Sequence, residues 1–126
     1  MEHPFRLTHA EHLKGKVCTE ILFKKGKTFL VFPFLVHYYM DVTYSGTPVR
    51  LVFSAPKRRL RHAVDRNRIK RLTREAYRQN KQLLVSAVPE SSTLYVSFSY
   101  VTDKLVSYKV IELAIVKCLN RLSASL

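Results

Sequence analysis

The pattern of apolar and polar positions in the first half of the chain predicts one helix followed by two strands. Residues 13–23 carry apolar side chains at helical intervals and predict a short first helix. Residues 29–43 are rich in β-branched and aromatic side chains and predict one long strand. Residues 49–54 predict an antiparallel return strand after a turn around Gly46, so we expect these two strands to form a hairpin.

The second half of the chain alternates helical and strand periods. Residues 65–78 have apolar positions at helical spacing, and residues 94–101 alternate large with small side chains as a strand does. Residues 107–122 predict the clearest amphipathic helix, with an apolar stripe made of Ile111, Ala114, Ile115, Cys118, Leu119 and Leu122. This order predicts an α+β fold with two layers, in which helices pack on a small sheet.

Length and composition indicate one domain. At 126 residues and 47% hydrophobic content, the chain suits a single domain over residues 1–126, with residues 1–12 as a flexible N-terminal segment. Those first residues lack the apolar core of a secretory signal, so we expect a cytoplasmic protein. In that compartment Cys18 and Cys118 are expected to be reduced thiols rather than a disulfide.

The predicted helix at residues 65–78 separates polar from apolar side chains. At about 100 degrees per residue, one polar arc holds Asn67, Lys70, Arg71, Arg74, Arg78 and Lys81. The apolar stripe on the other side holds Ile69, Leu72, Ala76 and Leu83. Asp65 stands at the start, where a carboxylate can cap free amides and complement the helix dipole. We therefore expect one face to be buried against the sheet and the other to present cations.

Positive charge is concentrated in this helix and in the loop before it. Residues 57–81 contain eleven Lys and Arg against two acids, which leaves +9 of the chain's net charge of +13. Unbalanced charge repels itself unless a partner neutralises it, whereas ordinary solvated helix faces mix the two signs. Nucleic acid is therefore the first candidate partner, an anionic membrane the second and an acidic protein the third. Membrane binding is disfavoured because the helix has a narrow aliphatic stripe without Trp or Phe.

The sequence offers no residue set for hydrolysis by the protein itself. The nine acidic residues are scattered singly, so neither a pair of catalytic carboxylates nor a carboxylate metal site is predicted. We expect no catalytic residue and no metal held by the protein, and we expect the partner to carry out any reaction. Arg outnumbers Lys in the helix, and guanidinium groups bind phosphate in a fork and stack on bases, which favours folded RNA.

The sequence RNRIKRLTREAYR at residues 66–78 resembles the RNR signature of the bacterial ribonuclease P protein family. Shorter matches in the same order are LFKKGK at residues 22–27, SAPKR at residues 54–58 and AVDRNR at residues 63–68, so the resemblance covers most of the chain. It implies a four-stranded sheet packed with three helices and a left-handed βαβ crossover, a fold like that of the second domain of ribosomal protein S5. General pattern rules would instead predict a right-handed connection.

The resemblance also implies a function in the maturation of tRNA. In such a ribonucleoprotein the RNA subunit removes the 5′ leader of precursor tRNA by magnesium-dependent hydrolysis, and the protein assists. The implied partners are the catalytic RNA and precursor tRNA, with no membrane and no protein partner. By position in the motif, the implied contacts to the catalytic RNA are Arg66, Asn67, Arg68, Lys70, Arg71 and Arg74, with Lys57 and Arg58 added from the preceding loop.

A second site implied by the resemblance is a cleft between the first helix and the sheet, which holds the single-stranded leader by stacking. Phe23 matches one aromatic position of this cleft. The register of the predicted long strand leaves Phe34, His37 and Tyr38 as competing candidates. Another aromatic position of the cleft is occupied by Thr19 in this chain, which predicts weaker or differently placed leader binding.

Two other functions stay open on the sequence. A structural ribosomal or general RNA-binding protein would share the charge and the two-layer fold, and it would lack processing activity. A protein that binds an anionic membrane or an acidic protein is the other alternative, and for it folded RNA would compete poorly for the basic helix.

Overall fold

The computed structural model describes residues 26–41 and 48–126. Its strands are β1 (Lys27–Val31), β2 (Phe34–Asp41), β3 (Val49–Ser54) and β4 (Thr93–Tyr100). Its helices are α1 (Ala63–Asn80), the one-turn α2 (Gln82–Val85) and α3 (Tyr108–Ala124). The predicted helix at residues 13–23 and the predicted flexible segment at residues 1–12 lie outside the described residues.

The four strands form one mixed sheet in the order β1-β2-β4-β3. β2 pairs antiparallel with both β1 and β4, whereas β3 and β4 run parallel. Because a tight turn cannot join parallel neighbours, the chain leaves β3, crosses through α1 and α2, and returns as β4. The predicted α+β fold, with a four-stranded sheet packed with helices, is confirmed, and the left-handed sense of the crossover stays a prediction.

Two predictions about the strands were wrong. The single strand expected at residues 29–43 is interrupted at Phe32 and Pro33, where the chain turns and β1 folds back on β2. A proline has no amide hydrogen to give to the ladder, so it favours such an interruption. The hairpin expected between this strand and residues 49–54 does not form, because β3 pairs in parallel with β4 instead.

The core lies between one face of the sheet and the helices α1 and α3. Phe34 of β2 meets Phe98 and Tyr100 of β4 edge to face, with ring centroids 6.2 Å and 6.0 Å apart. The predicted apolar stripe of α3 is buried at all six positions, which confirms the helical pattern. Ser107 is the N-cap residue of this helix, and its hydroxyl oxygen accepts a hydrogen bond from the Val110 amide at 3.4 Å.

The buried face of α1 differs from the predicted stripe. Ile69 and Ala76 are buried as expected, but Thr73 and Tyr77 complete the face. The Thr73 hydroxyl donates to the Ile69 carbonyl at 2.7 Å, which satisfies it inside the core, and the Tyr77 ring packs against Phe53 of β3. The helix is thus rotated relative to the prediction, and the polar side chains that face solvent shift with it.

Two residues near the end of α1 were also wrongly placed by the prediction. Leu83, expected on the buried stripe, is 42% exposed, and Lys81, expected on the basic arc, is buried. The prediction continued one straight helix past Asn80, whereas α1 ends there and α2 begins at Gln82. Among the described residues, no helix has the length and apolar character needed to cross a bilayer.

Candidate nucleic-acid interface

The outer face of α1 presents a row of exposed cations. Arg68, Arg71 and Arg74 follow one another at intervals of three residues, so each lies about one helical turn beyond the last. Asn67 is exposed beside them, and Lys70 is half-buried at the edge of this face. Sequence reasoning predicted all five as RNA contacts, and the structure brings them together on one side of the helix.

The loop between β3 and α1 extends this row. Lys57, Arg58, Arg59 and Arg61 are all exposed, and only the first two were predicted as contacts. We define the basic surface as these four loop residues together with Arg68, Lys70, Arg71 and Arg74 of α1. Within residues 26–41 and 48–126, none of these eight side chains forms an ion pair with a carboxylate. Their charge is therefore available to an external anion.

Arg78 differs from its neighbours because a carboxylate already neutralises it. The Arg78 guanidinium donates to Glu75 in a fork, from Nε to Oε2 at 3.0 Å and from Nη2 to Oε1 at 2.6 Å. Gln79 donates to the same carboxylate at 2.8 Å. The hydrogen bonds from Arg78 and Gln79 lower the pKa of Glu75 to about 2. Arg78 therefore does not belong to the basic surface, although the helical pattern placed it on the basic arc.

The loop is held by backbone hydrogen bonds and an apolar anchor. The Pro56 carbonyl accepts from the amides of Arg59 at 3.0 Å and Leu60 at 3.1 Å, which closes a turn. Ala55 and Leu60 are buried in the core. These two buried residues lie on either side of the consecutive cations at residues 57–59, whose side chains are exposed to solvent.

The first turn of α1 is organised differently from the prediction. His62 is the N-cap residue and its side chain makes no capping hydrogen bond, whereas Asp65, predicted as the cap, is the third residue of the helix. In that position its carboxylate can still complement the helix dipole. Arg66, which was predicted as an RNA contact, is half-buried, and its Nη1 donates to the carbonyls of Leu60 and Arg61, both at 2.9 Å.

The candidates for a leader cleft do not share one surface. Phe34, one of the three competing candidates, is 1% exposed and packs in the core, so its ring is not presented to solvent. Tyr38 lies on the same core face and packs edge to face on Phe29 at 5.8 Å. His37 is on the opposite face, because successive side chains of a strand alternate. Phe23 lies outside the described residues.

The face of the sheet that carries His37 contains a row that sequence reasoning missed. Tyr39 of β2 is paired with Tyr95 of β4, which is in turn paired with Arg50 of β3. All three residues are half-buried. The alternation of β2 was a sufficient signal to place Tyr39 on the same face as His37. Predicting the pairing of Tyr95 with Arg50 would have required knowing that β3 and β4 run parallel.

Burial lowers the pKa of His37, so the neutral imidazole is favoured.

The described residues show no arrangement of ligands for a metal. In residues 26–41 and 48–126 there is no group of three or more His, Cys, Asp or Glu side chains that could hold an ion. Cys118 is a free thiol buried on the apolar stripe of α3, and burial raises its pKa to about 12. A neutral buried thiol of this kind acts as a small apolar side chain.

Comparisons of the sequence identify close relatives. A family model described as Ribonuclease P matches residues 7–122. The ribonuclease P protein component of Porphyromonas gingivalis is 35% identical over 122 residues, which is 96% of this chain and 89% of the relative. The ribonuclease P protein component of Chlorobaculum tepidum is 56% identical over 91 residues, which is 65% of this chain and 55% of that relative.

Comparisons of the structure agree with those of the sequence. The RNase P protein of Staphylococcus aureus is similar with a TM-score of 0.68 and 19% identity, covering 90% of this chain and 94% of that one. The RNase P protein of Thermotoga maritima is similar with a TM-score of 0.65 and 23% identity, covering 88% of this chain and 96% of that one. At these identities the likeness establishes the fold alone.

Proposed function

The chain belongs to the bacterial ribonuclease P protein family, and we propose that it binds the catalytic RNA of that ribonucleoprotein through the basic surface. As the protein component of this endoribonuclease, it associates with the ribonuclease P RNA and takes part in tRNA processing. We propose further that the residues of the basic surface make this contact and that a second surface holds the 5′ leader of precursor tRNA.

The observation that carries the proposal is the set of cations along the loop and α1 that form no ion pair with a carboxylate in the described part of the chain. Arg68, Arg71 and Arg74 rise along the helix, and a phosphate backbone presents charges at a similar repeat of several ångströms. Guanidinium groups can hold such phosphates with two parallel hydrogen bonds. Asn67, exposed beside these cations, adds both a donor and an acceptor that can contact a base edge or a 2′-hydroxyl.

The role of the protein in the reaction is electrostatic. We assign hydrolysis and the magnesium ions it requires to the RNA and its substrate. Bringing a polyanionic substrate against a polyanionic RNA costs free energy, which cations from the basic surface reduce by replacing condensed counterions. The protein therefore lowers the magnesium concentration at which the complex assembles, and we assign it no acid, base or nucleophile in the reaction.

The leader is assigned to the face of the sheet opposite α1 and α3. His37 lies on this face, together with the row of Tyr39, Tyr95 and Arg50. Aromatic rings and guanidinium planes stack on unpaired bases with little dependence on sequence, which suits leaders of differing composition. Phe23 remains a predicted member of this site.

Competition binding tests both contacts. We expect the wild-type protein to prefer the catalytic RNA over a folded RNA of equal length, and precursor tRNA with a leader over mature tRNA in the presence of that RNA. The substitution Tyr95→Ala should reduce the preference for the leader, and Arg71→Ala with Arg74→Ala should weaken binding of the catalytic RNA. Equal affinity for the catalytic RNA and the unrelated RNA would favour a general RNA-binding protein instead.

A further inference from the structure

Arg66 is the member of the predicted RNA-binding set that is directed back toward the protein. Its Nη1 donates to two successive carbonyls, those of Leu60 and Arg61, at 2.9 Å each. Arg68, Arg71 and Arg74 are exposed on the same helix, whereas Arg66 is half-buried. The guanidinium therefore acts first on the backbone of the preceding loop.

These two hydrogen bonds fix the end of the loop that carries half of the basic surface. The start of the loop is held by the turn at Pro56, and its middle by the buried side chain of Leu60. Just before α1, the Arg66 side chain joins the helix to the loop backbone through its hydrogen bonds to the carbonyls of Leu60 and Arg61. The side chain of the N-cap residue His62 makes no capping hydrogen bond. The side-chain hydrogen bonds at this junction come from Arg66, which links the helix to the loop before it.

We propose that Arg66 is a positioning residue, which holds the loop so that its four cations continue the row formed by Arg71 and Arg74 on α1. The proposal rests on the proposed binding of RNA by the basic surface. Without Arg66, the carbonyls of Leu60 and Arg61 would bond to water and the loop would sample other conformations. Binding RNA would then require the loop to become ordered, which reduces affinity even though the loop charges are unchanged.

A double-mutant cycle separates positioning from direct contact. Arg66→Met removes the donors while keeping an unbranched stem that favours helix, and Arg58→Ala with Arg59→Ala neutralises part of the loop. In the wild-type background Arg66→Met should weaken binding of the catalytic RNA by about tenfold, and in the loop-neutralised background by less than about threefold. Arg74→Met, on the exposed face, is the matched control and should cause the same loss in both backgrounds. An equal loss from Arg66→Met in both backgrounds would overturn the proposal.

A second measurement on the free protein does not depend on RNA. The Leu60 amide bonds to the Pro56 carbonyl, so its hydrogen exchange reports the order of the loop. Arg66→Met should speed exchange of this amide by about tenfold or more, while the Ile69 amide within α1 keeps its protection and shows that the helix is folded. Unchanged exchange at Leu60 would refute positioning by Arg66. Failure of the wild-type protein to bind the RNA would instead refute the proposed function.

Discussion

The salt dependence of RNA affinity gives a quantitative test of the basic surface. Arg68 and Arg71 are exposed, have no carboxylate partner in the described part of the chain, and lie one turn apart. The double substitution Arg68→Ala and Arg71→Ala therefore removes two phosphate contacts if the proposed interface is correct. Ala is the best helix former, so the substitutions should leave α1 intact.

The magnitude follows from the release of counterions. Each phosphate contact contributes about 0.7 to 0.9 to the slope of log affinity against log salt concentration, so losing two lowers the slope by roughly 1.4 to 1.8. Between about 50 mM and 200 mM salt, wild-type affinity for the catalytic RNA should fall by roughly tenfold more than that of the variant. Filter binding over this range of salt measures both slopes.

A matched control removes the same charge elsewhere. Lys109 and Lys117 are exposed on α3, and the double substitution Lys109→Ala and Lys117→Ala also lowers the net charge by two. We expect this control to retain the wild-type slope, because long-range charge alone is screened over about 10 Å at such ionic strengths. An unchanged slope for Arg68→Ala with Arg71→Ala, or an equal change in the control, would refute specific contact by α1.

Three further predictions concern the fold that carries the interface. Phe98→Ala should lower the free energy of unfolding by roughly 3 to 5 kcal/mol in urea titrations, because Phe98 is buried among aromatic rings, whereas the exposed Leu113→Ala should change it by less than about 0.5 kcal/mol. In a Cys18→Ser background, the buried Cys118 thiol should resist an aromatic disulfide reagent at pH 8 and react once urea unfolds the protein; fast reaction in the native state would contradict its raised pKa. Folding lowers the pKa of Glu75, so the stabilising contribution of its carboxylate is present above about pH 4.5 and is lost as the pH falls toward 2. The difference in melting temperature between wild type and Glu75→Gln should therefore shrink as the pH is lowered over that range. A constant difference would contradict the ion pair with Arg78.

Local periodicity was sufficient to predict α3 and most of α1, but it did not give the exact rotation of α1 or its end at Asn80. The six apolar positions of α3 repeat at helical spacing over several turns, and all six are buried. The same reasoning placed Arg71 and Arg74 on the polar arc, whereas Arg68 was named only through the resemblance to the family motif. The pairing between Arg78 and Glu75 was accessible in principle, since side chains three residues apart meet on a helix surface.

Contacts between distant parts of the chain could not be predicted in this way. The residues of β3 identify a strand, but its parallel partner β4 lies beyond α1 in sequence, and alternation within a strand does not specify a neighbour. For the same reason, the sequence could not predict that Tyr39, Tyr95 and Arg50 are neighbours across the sheet. The contact of Arg66 with the loop depends on how the chain turns after Pro56. A count of charges along the sequence includes Arg66 as one more cation and gives no information about this contact.

Cleavage of precursor tRNA tests the central claim most directly. A 5′ leader-bearing precursor is incubated at low magnesium with ribonuclease P RNA from the same host, with and without this protein and with its Arg68→Ala, Arg71→Ala variant. We expect the wild-type protein to stimulate leader removal strongly, the variant to stimulate it less, and the protein alone to cleave nothing. Cleavage unaffected by the wild-type protein, or cleavage by the protein without RNA, would contradict a role as an electrostatic cofactor of a catalytic RNA.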